Sequence, residues 1–171
     1  MNVPERKSPP KEVLLVEDNP GDVRLTLEAF REANASIHLS VAYDGVEAME
    51  FLTNKPPYLD APRPGIILLD LHLPRMDGRE VLTKIKQDQS LRSIPTVILS
   101  TSDSHDDVAK SYLLQANCYL TKPGKLEEFE SLVKAIYDFW LTAVQLPPPT
   151  WHSNRQPQEA SGTDLLGERK T

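Results

Sequence analysis

Cysteine and long apolar runs are nearly absent from this 171-residue sequence. Cys118 is the single cysteine, so no disulfide can form within the chain, and its neighbours Tyr119 and Leu120 favour a place in a buried strand. No stretch approaches the roughly 18 consecutive apolar residues that a membrane-spanning helix needs. The first residues, MNVPERKSPPKE, lack the apolar segment of a signal peptide. We therefore expect a cytoplasmic protein with no membrane partner.

Positive charge is also in deficit. The sequence has 19 Lys and Arg against 25 Asp and Glu, which gives a formal net charge of −6. Nucleic acids are anionic and repel a chain of this charge. We therefore expect proteins or cations as partners, and no nucleic acid.

The length and the placement of proline predict one folded domain. A chain of this length buries one core but is short for two average domains. Three prolines in the first ten residues predict a disordered leader over residues 1–11, and Pro147-Pro148-Pro149 opens a polar tail that we expect to be flexible over residues 147–171. The expected domain covers residues 12–146.

Short apolar runs alternate with amphipathic segments along that domain. The runs predict strands over residues 13–16, 37–42, 66–69, 96–99 and 118–120. The intervening segments predict helices that begin after Asn19 and at Asp44, Gly78, Asp106 and Leu126, the last one continuing to about Val144. This pattern predicts an α/β protein, a flavodoxin-like (βα)₅ doubly wound parallel sheet with strand order 2-1-3-4-5.

Polar residues follow four of the predicted strands. They are Glu17 and Asp18 after the first strand, Asp70 after the third, Ser100 after the fourth and Lys122 after the fifth. Functional groups of open parallel sheets gather at the carboxyl ends of the strands, so these side chains should meet. Any one of them alone could be a helix cap, a turn residue or a surface charge, but their coincidence at one sheet edge favours a site.

Three converging carboxylates repel one another unless a cation holds them together. Mg²⁺ prefers oxygen ligands, keeps several waters and takes one or two carboxylates directly. The predicted metal site therefore uses Asp18 and Asp70 directly and Glu17 through water. Asp70 can then attack a phosphoryl group while Mg²⁺, Lys122 and Ser100 neutralise its equatorial oxygens.

The sequence resembles the receiver domains of two-component response regulators. The matching segments are Leu14 to Asn19, Ile67 to Gly78, Pro95 to Ser102 and Tyr119 to Pro123. The resemblance implies that Asp70 takes its phosphoryl group from a sensor histidine kinase, and that Mg²⁺ contacts Asp18, Asp70 and the backbone carbonyl of His72. It also implies a switch pair, Ser100 and Tyr119, and a cis peptide bond between Lys122 and Pro123.

A further likeness is to the small phytochrome-associated response regulators. It is carried by the segment Ala116 to Pro123 and by Phe139-Trp140-Leu141 with Leu146-Pro147 after it. It implies a phytochrome-type kinase as partner. His72, two residues after the acceptor, and Gly124 depart from common receivers and leave the lifetime of the phosphorylated state open.

The last predicted helix carries more apolar residues than one buried stripe requires. We expect a homodimer that uses Phe139, Trp140, Val144 and Leu146. The alternative is that these side chains fold back on their own domain.

Two other functions compete with a phosphorylated receiver, which would be no enzyme beyond its own phosphorylation and slow dephosphorylation. The first is a Mg²⁺-dependent phosphatase with an aspartate nucleophile, which would usually have a second acid where His72 stands. The second is a pseudo-receiver that only binds partners, against which the full set of site residues argues.

Overall fold

Strands and helices alternate from residue 11 to residue 143 in the computed structural model, which describes residues 11–32 and 36–148. The strands are β1 (Lys11–Val16), β2 (Ile37–Ala42), β3 (Ile66–Leu69), β4 (Thr96–Ser100) and β5 (Cys118–Thr121). The helices are α1 (Pro20–Glu32), α2 (Gly45–Leu52), α3 (Gly78–Gln87), α4 (His105–Leu113), α5 (Leu126–Ile136) and a terminal π-helix (Tyr137–Ala143). The expected leader, apart from Lys11, and the tail after residue 148 lie outside the described residues.

The five strands form one parallel sheet in the order β2-β1-β3-β4-β5, which confirms the predicted fold. The register aligns the carboxyl ends of the central strands, because Val16 pairs with Leu69, and Leu69 with Ile98. Groups that follow these strands therefore begin at nearly the same height along the sheet.

Helices cover both faces of the sheet, and the strands divide their side chains between them. In β1, Leu14 and Val16 pack on the side of α2 and α3, whereas Val13 and Leu15 pack on the side of α1 and α5. All four residues of β3 are fully buried. Side chains alternate across a strand, and a strand covered on both faces is apolar throughout.

Side chains at the helix starts act as caps, as the sequence indicates. The Oδ1 atom of Asn19 accepts a hydrogen bond from the backbone N–H of Gly21 at 2.8 Å, and the Oδ1 atom of Asp44 accepts from Val46 and Glu47 at 2.8 Å each. Such caps satisfy backbone donors that have no partner inside the helix. They fix the first turns of α1 and α2 next to the carboxyl ends of β1 and β2.

The last helix departs from the prediction. The α-helix ends at Ile136, and the π-helix continues to Ala143, so the continuous helix to about Val144 is wrong in type. The wider turns still place Leu141 in the core on the α1 and α5 side, and Lys11 Nζ donates a hydrogen bond to the Leu141 carbonyl. Tertiary contacts of this kind override the local preference for α-helix.

Candidate functional site

Carboxylates from two strand ends meet beside the middle of the sheet. Oxygens of Glu17, Asp18 and Asp70 all lie within 4.8 Å of one another. The backbone continues the sheet hydrogen bonding to this point, since Asp70 N donates to Val16 O at 3.0 Å. Glu17 and Asp70 are buried, whereas Asp18 is exposed. The structure thus brings together the three carboxylates among the predicted metal ligands.

Lys122 contacts two of these carboxylates, those of Glu17 and Asp70, and also that of Asp22. Its Nζ is 2.8 Å from Asp70 Oδ2 and 2.9 Å from Asp22 Oδ2, and it also donates to Glu17 Oε2. The Lys122 side chain is only 3% exposed. Its backbone N–H donates to Ser100 O at 2.7 Å, which extends the pairing of β4 and β5 as far as the lysine.

The peptide bond between Lys122 and Pro123 is trans, whereas the resemblance implied a cis bond. Among the described residues, the cis peptide bond is Pro56–Pro57, so the expected cis bond between Lys122 and Pro123 is wrong. With the trans bond, the Lys122 ammonium contacts the carboxylates of Glu17, Asp22 and Asp70.

Burial and charge pairing act in opposite directions on the pKa values of Glu17 and Lys122. Desolvation raises the pKa of Glu17, and the contact with Lys122 only partly offsets this effect. Burial alone would lower the pKa of Lys122, but its hydrogen bonds to Asp70 and Glu17 outweigh burial and raise that pKa. Lys122 is therefore an ammonium ion at neutral pH.

The charges of this site fit a divalent cation. The Lys122 ammonium pairs with three carboxylates, those of Glu17, Asp22 and Asp70. The carboxylate of Asp18 is a fourth, within 4.8 Å of those of Glu17 and Asp70. One cation leaves a large excess of negative charge, and clustered oxygens of this kind are the ligands that Mg²⁺ prefers. The residues present therefore suit the metal predicted from the sequence.

Ser100 and Tyr119, the predicted switch pair, are joined through Ser102. Ser100 is fully buried, and its Oγ accepts a hydrogen bond from Ser102 N at 3.3 Å. The Tyr119 hydroxyl donates to Ser102 O at 2.8 Å. The loop between β4 and α4 therefore contacts both predicted switch residues.

The same loop is tied to two helices. Ser102 Oγ donates to Asp107 Oδ2 at 2.5 Å, and Asp107 also forms an ion pair with Arg79 of α3. These contacts, the hydrogen bond from Ser102 first and the Arg79 guanidinium after it, hold the pKa of Asp107 below its usual value. The sequence analysis missed Ser102, Asp107 and Arg79, because a Ser-rich loop and a helix-start acid carry no signal beyond capping.

His72 lies beside the acceptor in the loop between β3 and α3. Its backbone N–H donates to Asp70 Oδ1 at 3.1 Å, and its imidazole is 55% exposed. The loop is packed so closely that a Cβ atom on Gly78 would lie 2.0 Å from Asp70 O, which makes glycine necessary there. Arg75 ties the loop to the cap of α2 through a 2.9 Å contact with Asp44.

Asp22 is a site residue that the sequence analysis did not identify. It lies in the first turn of α1, and its carboxylate contacts Lys122. A signal was present, because a helix that starts directly after a site strand directs its first turn toward the same crevice.

The four residues predicted at a dimer interface do not share one environment. Phe139 is 58% exposed, whereas Trp140 and Leu146 are partly buried against the core on the α1 and α5 side. Leu146 also covers Gly65 at the start of β3, where a Cβ atom would lie 3.2 Å from Leu146 Cδ1. The fold-back alternative thus accounts for Trp140 and Leu146, and Phe139 is left at the surface.

In the part of the chain that the structure describes, no helix is both long enough and apolar enough to span a membrane.

Comparison with known proteins agrees with this geometry. The family model described as "Response regulator receiver domain" matches residues 13–134. Response regulator Rcp1 of Synechocystis is 47% identical over 143 residues, which are 84% of this chain and 97% of that protein.

Two solved structures are similar over the same region. The Mn²⁺-bound form of response regulator Rcp1 has a TM-score of 0.79 at 47% identity and covers 81% of this chain and 100% of its own. The phosphorylated cyanobacterial phytochrome response regulator RcpA has a TM-score of 0.79 at 46% identity, and covers 81% of this chain and 99% of its own. The likeness to RcpA agrees with the resemblance to phytochrome-associated regulators. The chain belongs to the family of response regulator receiver domains.

Proposed function

We propose that this receiver takes a phosphoryl group on Asp70 from a phosphohistidine of a phytochrome-type sensor histidine kinase. The observation that carries the proposal is the buried Lys122 ammonium, which lies 2.8 Å from Asp70 Oδ2 and also contacts Glu17 and Asp22, beside the metal ligand candidate Asp18. The similarity to a phytochrome response regulator that was crystallised in phosphorylated form supports the choice of kinase. A cytoplasmic location belongs to the same proposal, because the ATP from which such a kinase makes phosphohistidine is cytoplasmic.

Mg²⁺ is the cofactor in this proposal. Asp18 and Asp70 would hold it directly, Glu17 would act through water, and the backbone carbonyl of His72 would complete the protein ligands. Rcp1 was crystallised with Mn²⁺, another divalent ion that suits oxygen ligands. When bound, the metal supplies positive charge to the oxygens of the transferring phosphoryl group.

The groups of the chain perform the transfer around Asp70. A carboxylate oxygen of Asp70 forms the new bond to phosphorus as the P–N bond of phosphohistidine breaks, and the electron pair of that bond stays on the histidine nitrogen. Lys122 moves one N–H from Asp70 to a phosphoryl oxygen and offsets its charge. The Ser100 hydroxyl, whose Oγ lies 3.5 Å from His72 Nδ1, turns to donate to a second phosphoryl oxygen.

The output of the proposed reaction is a rearrangement of the loop between β4 and α4. When Ser100 turns to the phosphoryl group, its Oγ no longer accepts from Ser102 N, which lies 3.3 Å away. Ser102 O is also the acceptor for the Tyr119 hydroxyl, so the change reaches β5. Ser100 and Tyr119 would thus act as the switch pair.

The phosphatase alternative is less well supported by the site. The residue two positions after Asp70 is His72, whose imidazole is half-exposed and 4.0 Å from Asp70 Oδ1, and no second acid stands there. In this proposal the chain therefore catalyses only its own phosphorylation and its slow dephosphorylation. A pseudo-receiver has no use for a buried lysine that contacts the acceptor carboxylate.

A homodimer is the second part of the proposal. Large apolar side chains are exposed on α4, on α5 and on the terminal π-helix, and they are Tyr112, Leu113, Leu126 and Phe139. Homodimer interfaces are more apolar than the rest of a protein surface. In this proposal a second copy of the chain covers Phe139, with Trp140, Val144 and Leu146 behind it.

Intact-mass measurement tests the proposed reaction. With acetyl phosphate and Mg²⁺, the protein should gain the mass of one phosphoryl group, and Asp70→Asn should gain none. The exposed Asp60 is the matched control, because Asp60→Asn removes the same charge far from the site and should be phosphorylated normally. Equal labelling of Asp70→Asn, or continued release of phosphate without a stable adduct, would overturn the proposal.

A further inference from the structure

Lys122 has a third carboxylate partner that the proposed transfer does not use. Asp22 Oδ2 lies 2.9 Å from Lys122 Nζ, and the Asp22 side chain is 26% exposed. Asp22 belongs to α1, whereas the other two partners, Glu17 and Asp70, follow β1 and β3. The lysine is thus held from three separate elements.

The number of donors on an ammonium makes this third partner significant. A lysine has three N–H donors, and all three are engaged by Glu17, Asp22 and Asp70. When Asp70 becomes an acyl phosphate, the donor that it held becomes available to a phosphoryl oxygen. The contacts with Glu17 and Asp22 are then the two that keep the ammonium in place.

The backbone of Asp22 is fixed well enough to serve as an anchor. Its N–H donates to the cap residue Asn19 at 3.3 Å, and its carbonyl accepts from Thr26 Oγ1 at 2.8 Å. Thr26 and the adjacent Val23 are buried. A flexible lysine gains most in orientation from partners that cannot move with it.

We propose that Asp22 is a positioning residue that orients Lys122, so that one N–H of the ammonium stays directed at the phosphoryl group on Asp70. Asp22 contacts no reacting atom and acts through the lysine. Without it, Glu17 alone opposes the lysine, and the ammonium can turn away from the acceptor. This inference rests on the proposed phosphorylation of Asp70.

The rate of phosphorylation tests the inference. With acetyl phosphate and Mg²⁺, Asp22→Ala should slow phosphorylation about tenfold, which corresponds to about 1.4 kcal/mol in the barrier. Asp22→Asn keeps an acceptor oxygen and should be faster than Asp22→Ala. Asp106→Ala is the matched control, because Asp106 is an acid in the first turn of α4 and contacts only the exposed Lys110. Equal rates for wild type and Asp22→Ala, or for the two Asp22 variants, would overturn the inference.

A double-mutant cycle shows whether the effect passes through the lysine. In a Lys122→Ala background, adding Asp22→Ala should cause no further loss of rate, because the group that Asp22 positions is already gone. A further tenfold loss in that background would show that Asp22 acts independently of Lys122 and would overturn the inference.

A second measurement needs neither metal nor phosphoryl donor. In NMR spectra of the ¹⁵N-labelled lysine ammonium groups, Asp22→Ala should shift the Lys122 signal and speed its proton exchange. Lys86 is the internal control, because its ammonium donates to Ile94 O and Asn117 Oδ1 at 3.1 and 3.0 Å, away from the site. An unchanged Lys122 signal would overturn the inference. If the signal changes but the wild type gains no phosphoryl mass, the proposed function fails and the contact between Asp22 and Lys122 stands.

Discussion

Two regions of the protein differ in which side chains they bury. They are the crevice around Asp70 and the outer surface formed by α4, α5 and the terminal π-helix. In the crevice, charged groups are buried, and Lys122 at 3% exposure has three carboxylate partners. On the outer surface, apolar groups are exposed, with Leu113 at 82% and Phe139 at 58%. Buried charge is costly unless it is paired, and exposed apolar area favours a partner. Each region departs from the ordinary distribution of charged and apolar residues where we propose a function.

Ser102 lies between the two regions. Its backbone contacts Ser100 and Tyr119, and its side chain contacts Asp107 of α4. The proposed reaction and the proposed partner binding therefore use different residues, and the loop at Ser102 joins the two regions.

Loss of the Lys122 ammonium from the crevice should have the greatest consequence. Lys122→Ala should slow phosphorylation of Asp70 by about 10²- to 10³-fold, the usual loss when one preorganised donor to a developing charge is removed. The measurement is the rate of phosphoryl mass gain from acetyl phosphate. Lys134→Ala is the matched control, since Lys134 forms only an exposed pair with Asp138. A loss smaller than threefold in Lys122→Ala would contradict the assigned role.

A substitution at Phe139 changes the outer surface and leaves the residues of the crevice in place. Phe139→Ala should weaken the proposed dimer at least about fivefold, because truncation of an aromatic anchor that the partner buries costs more than 1 kcal/mol. Analytical ultracentrifugation over a concentration series measures this, and Asp70 should still accept phosphate. Leu59→Ala, at another exposed apolar position, is the control. A monomeric wild type or an unchanged dimer would contradict the proposed interface.

A smaller effect concerns the link between the regions. Ser102→Ala removes the hydrogen bond to Asp107 and should lower the free energy of unfolding by about 1 kcal/mol, or Tm by about 2–4 °C. Thermal unfolding followed by circular dichroism measures the change. Ser131→Ala, which removes only an exposed hydroxyl bonded within α5, should shift Tm less. A Ser102→Ala variant as stable as wild type would show that the network carries little energy.

A smaller change in stability should reveal the raised pKa of Glu17 in the crevice. The pKa of Glu17 is raised in the folded protein, so its contribution to stability is present at low pH and is lost as pH rises through that pKa. Glu17→Gln should therefore raise the Tm of the metal-free protein at pH 7 relative to wild type, by no more than about 4 °C, and the difference should shrink toward pH 4. A Glu17→Gln variant that is less stable than wild type at pH 7 would contradict the direction of this shift.

Much of the fold could be predicted because local pattern and tertiary packing agree. The strand at 66–69 has the predicted bounds, since it is an unbroken apolar run. The helix at 78–87 begins at the predicted residue, since it starts at a cap and a required glycine. The convergence of Glu17, Asp18, Asp70 and Lys122 followed from strand order alone. Parallel strands place their carboxyl ends at one edge whatever the detailed packing.

The remaining features depend on contacts between distant parts of the chain. The terminal π-helix is held by Leu141 in the core and by Lys11 from β1, 130 positions earlier. The link from Ser102 through Asp107 to Arg79 joins three segments whose residues each have an ordinary local explanation. The contact of Asp22 with Lys122 spans 100 positions. No pattern within a short window carries such information.

The position of Leu146 has a consequence for how the protein can be handled. Leu146 rests on Gly65, which directly precedes β3, and Asp70 follows the end of the same strand, so about 17 Å of extended backbone separates Gly65 from Asp70. The chain at Leu146 thus lies at the edge of the sheet where the strands begin, and Asp70 lies at the edge where they end. A reporter joined after the last described residue starts from the opposite end of the domain, so a kinase can approach Asp70 without meeting the point of attachment.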